Sequence, residues 1–399
     1  MRITTVYRSV ANVVIDLWRD GKGWILLTVA IGWLLSSGTR VILPTILPYL
    51  RETFNLTLST AGLMLSLMWL AYALSQFPGG VLGDVLGYRF ILLISQVLTA
   101  IVLVAIVFAP NVSILFLSVI LLGTSVGLYG TTRLTILSLV YEARAGTAIG
   151  ILSAAGSIGN SLLPLFISAA ALYVTWQFGM GVIAVLTLLV AVGFIVIVPQ
   201  QFSGEEQTDA NIDWGSLRKA LLEPSIVLVT AVQTIHIFTW QGFSGFYPTY
   251  LIEIKGISPA LAGSFLGLFF ALGMLIQPLA GAARDRVGTR FALIGALAFA
   301  MLSFVLLPFV EGLYALAILT GLLSTLLGVG PIVLTHLTMG LPEEFRGSGL
   351  GLLRSAYFLI SAAGPWSIGL MADRGLFDEA FLCLALLLFV GIIISAFLE

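Results

Sequence analysis

The chain has 399 residues, of which 59% are hydrophobic and only 9% charged, with a net charge of −1. A soluble globular protein carries roughly 25% charged residues, so this mixture cannot cover a water-facing surface and lipid must be its main solvent. The near-neutral balance excludes a nucleic-acid partner, the lone Cys383 excludes a disulfide framework, and two histidines, His236 and His336, give no basis for a metal site or other cofactor.

A membrane-spanning helix needs about 20 apolar residues. Twelve such runs follow in order: 23–49, 58–82, 90–109, 113–140, 147–171, 176–198, 223–251, 259–282, 290–309, 313–340, 347–371 and 376–398. They predict an N-terminal segment 1–22, a six-helix bundle 23–198, a polar linker 199–222 and a second six-helix bundle 223–399. Residues 4–20 carry Val6, Val10, Val13 and Leu17 on one face, the pattern of a short helix lying on the membrane surface.

Span one carries Arg40 and span four carries Arg133, 11 residues (about 16 Å of helix) before Arg144. Arg354 lies about 10 Å into span eleven. An ionisable group inside a span is costly and reads as functional by default. No span interior holds an acidic residue to neutralise these arginines, and a guanidinium fork suits carboxylate, sulfate or phosphate. Other candidate lining residues are Tyr129, one turn before Arg133, and His236, Trp240, Gln241 and Tyr247 on span seven. His236, and His336 on span ten, are the candidates for proton coupling.

Counting Lys and Arg in the loops sets the orientation. With both termini cytoplasmic, twelve basic residues fall inside and three, Arg51, Lys255 and Arg374, outside. The chain is therefore expected to be a multi-pass protein of the cell membrane, monomeric and with lipid as its surroundings.

A shift of 201 residues carries Gly80, Asp84, Gly87 and Arg89 after span two onto Gly281, Asp285, Gly288 and Arg290 after span eight. The same shift carries Gly146 onto Gly347 and Pro164 onto Pro365. A duplicated six-span unit explains that register. The glycines permit tight turns and close helix approach. Asp84 and Asp285 are expected to meet the starts of spans eleven and five, which follow Arg346 and Arg144, because helix N-termini attract anions. Such contacts would close the cytoplasmic side.

The repeated G-x-x-x-D-x-x-G-x-R loop and the twelve-span layout resemble the major facilitator superfamily. The resemblance implies an all-α membrane fold of two pseudo-symmetric bundles, no enzymatic activity, a central cavity lined by spans one, four, seven and ten, and transport by alternating access. Arginines in spans one and four are similar to the organic anion branch of that family. Thr39 and Val140 stand where its members often place acids. The arginine at the start of the glycine-rich stretch in span four of proton-driven drug antiporters is replaced by Val119, and their span-five motif by the segment from Ala155 to Asn160. Two other readings remain beside transport of a small organic anion: a ligand-binding membrane sensor and a transporter of lipids or other amphipaths. No Gly-x-x-x-x-Gly-Lys loop points to ATP.

Overall fold

A computed structural model describes residues 17–18, 21–199, 214–342 and 346–398. Apart from residues 17 and 18, the surface helix expected over 4–20 lies outside these residues, as does most of the linker. Spans one to six are Lys22–Phe54, Leu58–Leu86, Tyr88–Val107, Val112–Val140, Ala145–Tyr173 and Trp176–Val196. A short helix, Trp214–Leu221, precedes span seven, Pro224–Glu253. Spans eight and nine share the run Pro259–Leu306, which turns sharply at Gly288. Span ten runs from Leu313 to Gly340 through a tightened turn, Ser324–Gly328. Span eleven is split into Arg346–Ser361 and Gly364–Ala372, and span twelve is Phe377–Ala396.

Among the described residues ten helical runs are long and apolar enough to cross a membrane. The eighth holds two spans and the eleventh span is divided, so the architecture is that of twelve spans in two six-helix bundles. Span eleven breaks beside Pro365, whose ring cannot continue the preceding helix. The turns ending spans two and eight place Gly87 at φ 91° and Gly288 at φ 83°, a region glycine enters without steric cost.

Local sequence sets the helix starts at one end of the molecule. Spans two, four and six begin with Thr57, Asn111 and Thr175, whose side chains accept from the backbone N–H three residues on. These caps lie at the end opposite the linker, called the far end below.

Small residues bring the helices of the first bundle together. A side chain at Gly159 would meet the Leu34 carbonyl, joining spans five and one, and one at Gly123 would meet the Met68 carbonyl, joining spans four and two. A side-chain amide ties two spans of the bundle: Gln96 of span three donates to the Gly32 carbonyl (3.2 Å) and the Ser36 hydroxyl (3.0 Å) of span one.

The two bundles meet chiefly toward the far end. Span five packs on span eight, where Ser161 donates to the Gly267 carbonyl at 3.2 Å. Span two packs on span eleven, where the Trp366 N–H donates to Ser66 at 2.9 Å. Asp373, after span eleven, accepts from the N–H groups of Leu58 (2.7 Å) and Ser59 (2.8 Å), capping span two from the opposite bundle. Burial works against ionisation of Asp373, but hydrogen bonds from Ser59 and Leu58 outweigh it and hold the carboxyl below its usual range. Arg51 at the end of span one pairs with Glu253 at the end of span seven.

At the linker end the arrangement is looser. A side chain added at Gly146, Gly281, Gly288 or Gly351 would meet nothing within 4 Å. Asp84 accepts from the hydroxyl of Tyr88 in its own bundle. Asp285 is exposed and pairs with its neighbour Arg284 at 3.2 Å, so its expected contact with the start of span five is not made in this conformation. Arg89 donates to the Ile195 carbonyl at 2.7 Å, and Arg290 lies over Phe291. The loop between spans two and three is therefore tied to span six of its own bundle. The side chain of Arg346 lies outside the described structure.

Candidate binding site

The arginines of spans one, four and eleven come together between the bundles, around Tyr72. Arg40 and Arg133 are buried, at 6% and 5% exposure, while Arg354 is partly exposed. Arg40 is positioned by a relay: its Nη2 donates to the Ser37 hydroxyl at 2.9 Å, which donates to Asn160 Oδ1 of span five at 2.8 Å. Arg133 donates to the Gly130 carbonyl of its own helix. Arg354 Nη2 donates to the Tyr72 hydroxyl across the bundle interface at 3.3 Å.

Aromatic rings take the place that carboxylates would hold. Arg40 lies 4.6 Å from the ring centre of Tyr72, 5.1 Å from Trp69 and 5.2 Å from Trp33. Arg133 lies 3.4 Å from the centre of the same Trp33 ring. Each contact of this kind contributes about 0.5–2 kcal/mol, more when dry. Tyr72 is within electrostatic reach of all three arginines. Among the described residues no carboxylate forms an ion pair with any of them. The Nε–H of each arginine is buried without a hydrogen-bond partner. A buried, unsatisfied charged donor costs more than 1–3 kcal/mol, so the cluster has an unmet demand for acceptors.

The second bundle supplies an aromatic wall. Trp240 stacks edge-on to Trp69 at 5.2 Å, and Phe358 lies 5.4 Å from Tyr72. The Trp240 indole N–H and both amide atoms of Gln241 are buried without partners. His236 Nδ1 contacts Gln233 Oε1 at 3.2 Å, and its other nitrogen is also unpartnered.

Two expected lining residues and the proton-coupling candidate His336 have their polar atoms engaged elsewhere. The Tyr129 hydroxyl donates to the Val29 carbonyl at 2.7 Å in a fully buried position, so this tyrosine ties span four to span one. Tyr247 shares a hydrogen bond with Thr320 at 2.6 Å and packs on Phe243 inside the second bundle. His336 has both ring nitrogens engaged, by Ser225 at 2.7 Å and Thr289 at 3.2 Å, and braces spans seven, nine and ten. In each case a nearby backbone or hydroxyl group satisfies the polar atom.

Trp33, Trp69 and Tyr72 are members of the cluster that sequence reasoning missed. Trp33 stands two turns before Arg40, and Trp69 and Tyr72 are three residues apart, spacings that share a helix face. Among the described residues no group of three or more His, Cys, Asp or Glu side chains could hold a metal ion.

Twelve spans in two bundles, with charged and aromatic side chains gathered between them, define a multi-pass membrane transporter. The sequence matches the family model of the Major Facilitator Superfamily over residues 29–335 and 229–399, and the chain belongs to that family. It is 23% identical to the probable sulfoacetate transporter SauU of Cupriavidus necator, with 90% of each chain covered. It is also 23% identical to the fosmidomycin resistance protein of Escherichia coli, with 92% of this chain and 91% of that one covered. Among solved structures it resembles a bacterial homologue of the human lysosomal transporter Spinster, with a TM-score of 0.81 at 15% identity over 95% of this chain and 97% of the other. A D-xylose–proton symporter follows at a TM-score of 0.75 and 18% identity, covering 94% and 98%.

Proposed function

We propose that this protein carries a small organic anion across the cell membrane by alternating access, as a monomer with both termini and the linker end in the cytoplasm. The observation that carries this reading is the convergence of Arg40, Arg133 and Arg354 between the bundles with no carboxylate among the described residues to neutralise them. A positive site between two bundles attracts an anion and repels a cation. The name of one relative, a probable sulfoacetate transporter, agrees with that chemistry. The proposed orientation follows from the basic residues of the loops. In it, the far-end contacts of Asp373, Arg51 and Ser161 close the outer side, and the loose linker end opens the site to the cytoplasm.

A thermal-shift screen of the purified protein tests the reading, because a ligand that binds the native state raises apparent stability. Carboxylates, sulfonates or phosphates should stabilise the wild type and fail to stabilise Arg40→Ala plus Arg133→Ala. Stabilisation by neutral sugars or cations alone, persisting in the double variant, would sink it.

A further inference from the structure

Resting on the anion reading, we infer that the substrate is a compact dianion whose two charged groups are divided between the bundles. One group is held by Arg40 and Arg133 of the first bundle, and the other by Arg354 of the second.

The donors are split in the way a two-headed ligand requires. Arg40 and Arg133 lie over one indole, Trp33, on spans one and four, and form a single basic patch. Arg354 reaches in from span eleven, and its described contacts are the Tyr72 hydroxyl and the ring of Phe358. Each of the three retains a buried Nε–H with no acceptor. A monoanion satisfies one patch and leaves the other guanidinium uncompensated. A dianion supplies acceptors to both and cancels two of three positive charges.

Tyr72 holds the place that this scheme gives to the second anionic group. Its hydroxyl accepts from Arg354 while its ring lies under Arg40, so it stands between the two patches. A neutral phenol is a weaker acceptor for a guanidinium than a carboxylate or sulfonate, since bonds between two ionised partners are roughly twice as strong as neutral ones. An incoming anionic group therefore displaces Tyr72 from Arg354. Trp69, Trp240 and Phe358 line the route between the patches with apolar surface and offer no carboxylate. That favours a short carbon linker between the two heads and disfavours a polyhydroxylated one. Arg354 is the specificity-determining residue in this scheme.

The experiment compares matched acids by calorimetry on the full-length protein in nanodiscs at about pH 7.5, where carboxyl groups are ionised. The probes are propionate against malonate, butyrate against succinate, and methanesulfonate against sulfoacetate. At least one dianion should bind about tenfold or more tightly than its monoanionic match, a difference of about 1.4 kcal/mol. Arg354→Gln should abolish that preference by weakening the dianion about tenfold more than its monoanionic match. Arg354→Lys, which retains the charge, should keep part of the preference and shows that the position tolerates substitution. Equal affinity of the wild type for both members of every pair overturns the dianion assignment and leaves the anion reading intact. Equal weakening of both members of a pair by Arg354→Gln overturns the dianion assignment in the same way. Binding of no anion in any pair overturns both.

Discussion

The arginines of the site are held by rings, by the Ser37 and Tyr72 hydroxyls and, for Arg133, by a backbone carbonyl, and this decides what each substitution does. Arg40→Gln and Arg133→Gln each keep a polar side chain but remove a charge that no carboxylate balances. Each variant should bind its best anion at least about tenfold more weakly by calorimetry, within the 1.5–3 kcal/mol of a charge-assisted hydrogen bond. Tyr72→Phe keeps the ring beneath Arg40 and removes only the neutral acceptor for Arg354. Anion affinity should not fall in that variant, and a large loss would make the phenol a direct ligand. The charges of the cluster were legible in the sequence because an arginine inside an apolar run is conspicuous. Their aromatic partners were not, because Trp33, Trp69 and Phe358 read as ordinary core residues until three helices bring them together. Tyr129 misled for the same reason: its spacing from Arg133 is right, but the Val29 carbonyl on another span takes its hydroxyl.

At the scale of helices, the contacts that seal the far end are few and specific. Asp373 caps a helix of the opposite bundle. Asp373→Ala should cost about 1 kcal/mol, as loss of a helix cap does, and should shift the population several-fold toward a far-end-open state. Spin-label distances between spans two and eleven would report it, and unchanged distances would remove Asp373 from the seal. Because the folded carboxyl is held below its ordinary value of 3.8, its contribution is fully present above that value. It is lost only as the pH falls through the depressed one, so far-end closure should be the same at about pH 7 and about pH 5. Close packing gives a second test. Gly159→Val drives a branched side chain into the Leu34 carbonyl, and should lower stability by about 1–3 kcal/mol in a thermal melt. The number of spans was legible from hydropathy alone. Their ends and interruptions were less so: span one continues to Phe54, five residues past the expected 49, despite Pro44 and Pro48. Span eleven breaks beside Pro365, whereas span five runs unbroken through the repeat-related Pro164, so a proline in the sequence did not by itself locate the break.

For the whole molecule, the repeat and the site divide the labour. The two halves share the loops at Asp84 and Asp285, whereas the paired basic residues of the binding cluster stand in the first half only, with Gln241 and Leu334 at the corresponding places in the second. Symmetric loops suit a part that must open and close, and an asymmetric cavity suits recognition of one ligand. In the alternating-access reading, Asp84 and Asp285 engage the opposite bundle when the linker end closes. Asp84→Asn should therefore enrich the linker-end-open state, measured by spin-label distances across that end, and an unchanged distribution would remove the aspartate from the gate.

The central claim, transport of an anion through the arginine cluster, is tested most directly by counterflow. Liposomes containing the protein and an excess of unlabelled succinate or sulfoacetate inside are diluted into a trace of the labelled anion, with no ion gradient imposed. Transient accumulation of label that disappears in Arg40→Ala plus Arg133→Ala is the predicted result. Accumulation confined to a neutral sugar or a cation, and unaffected by the double substitution, would contradict the account.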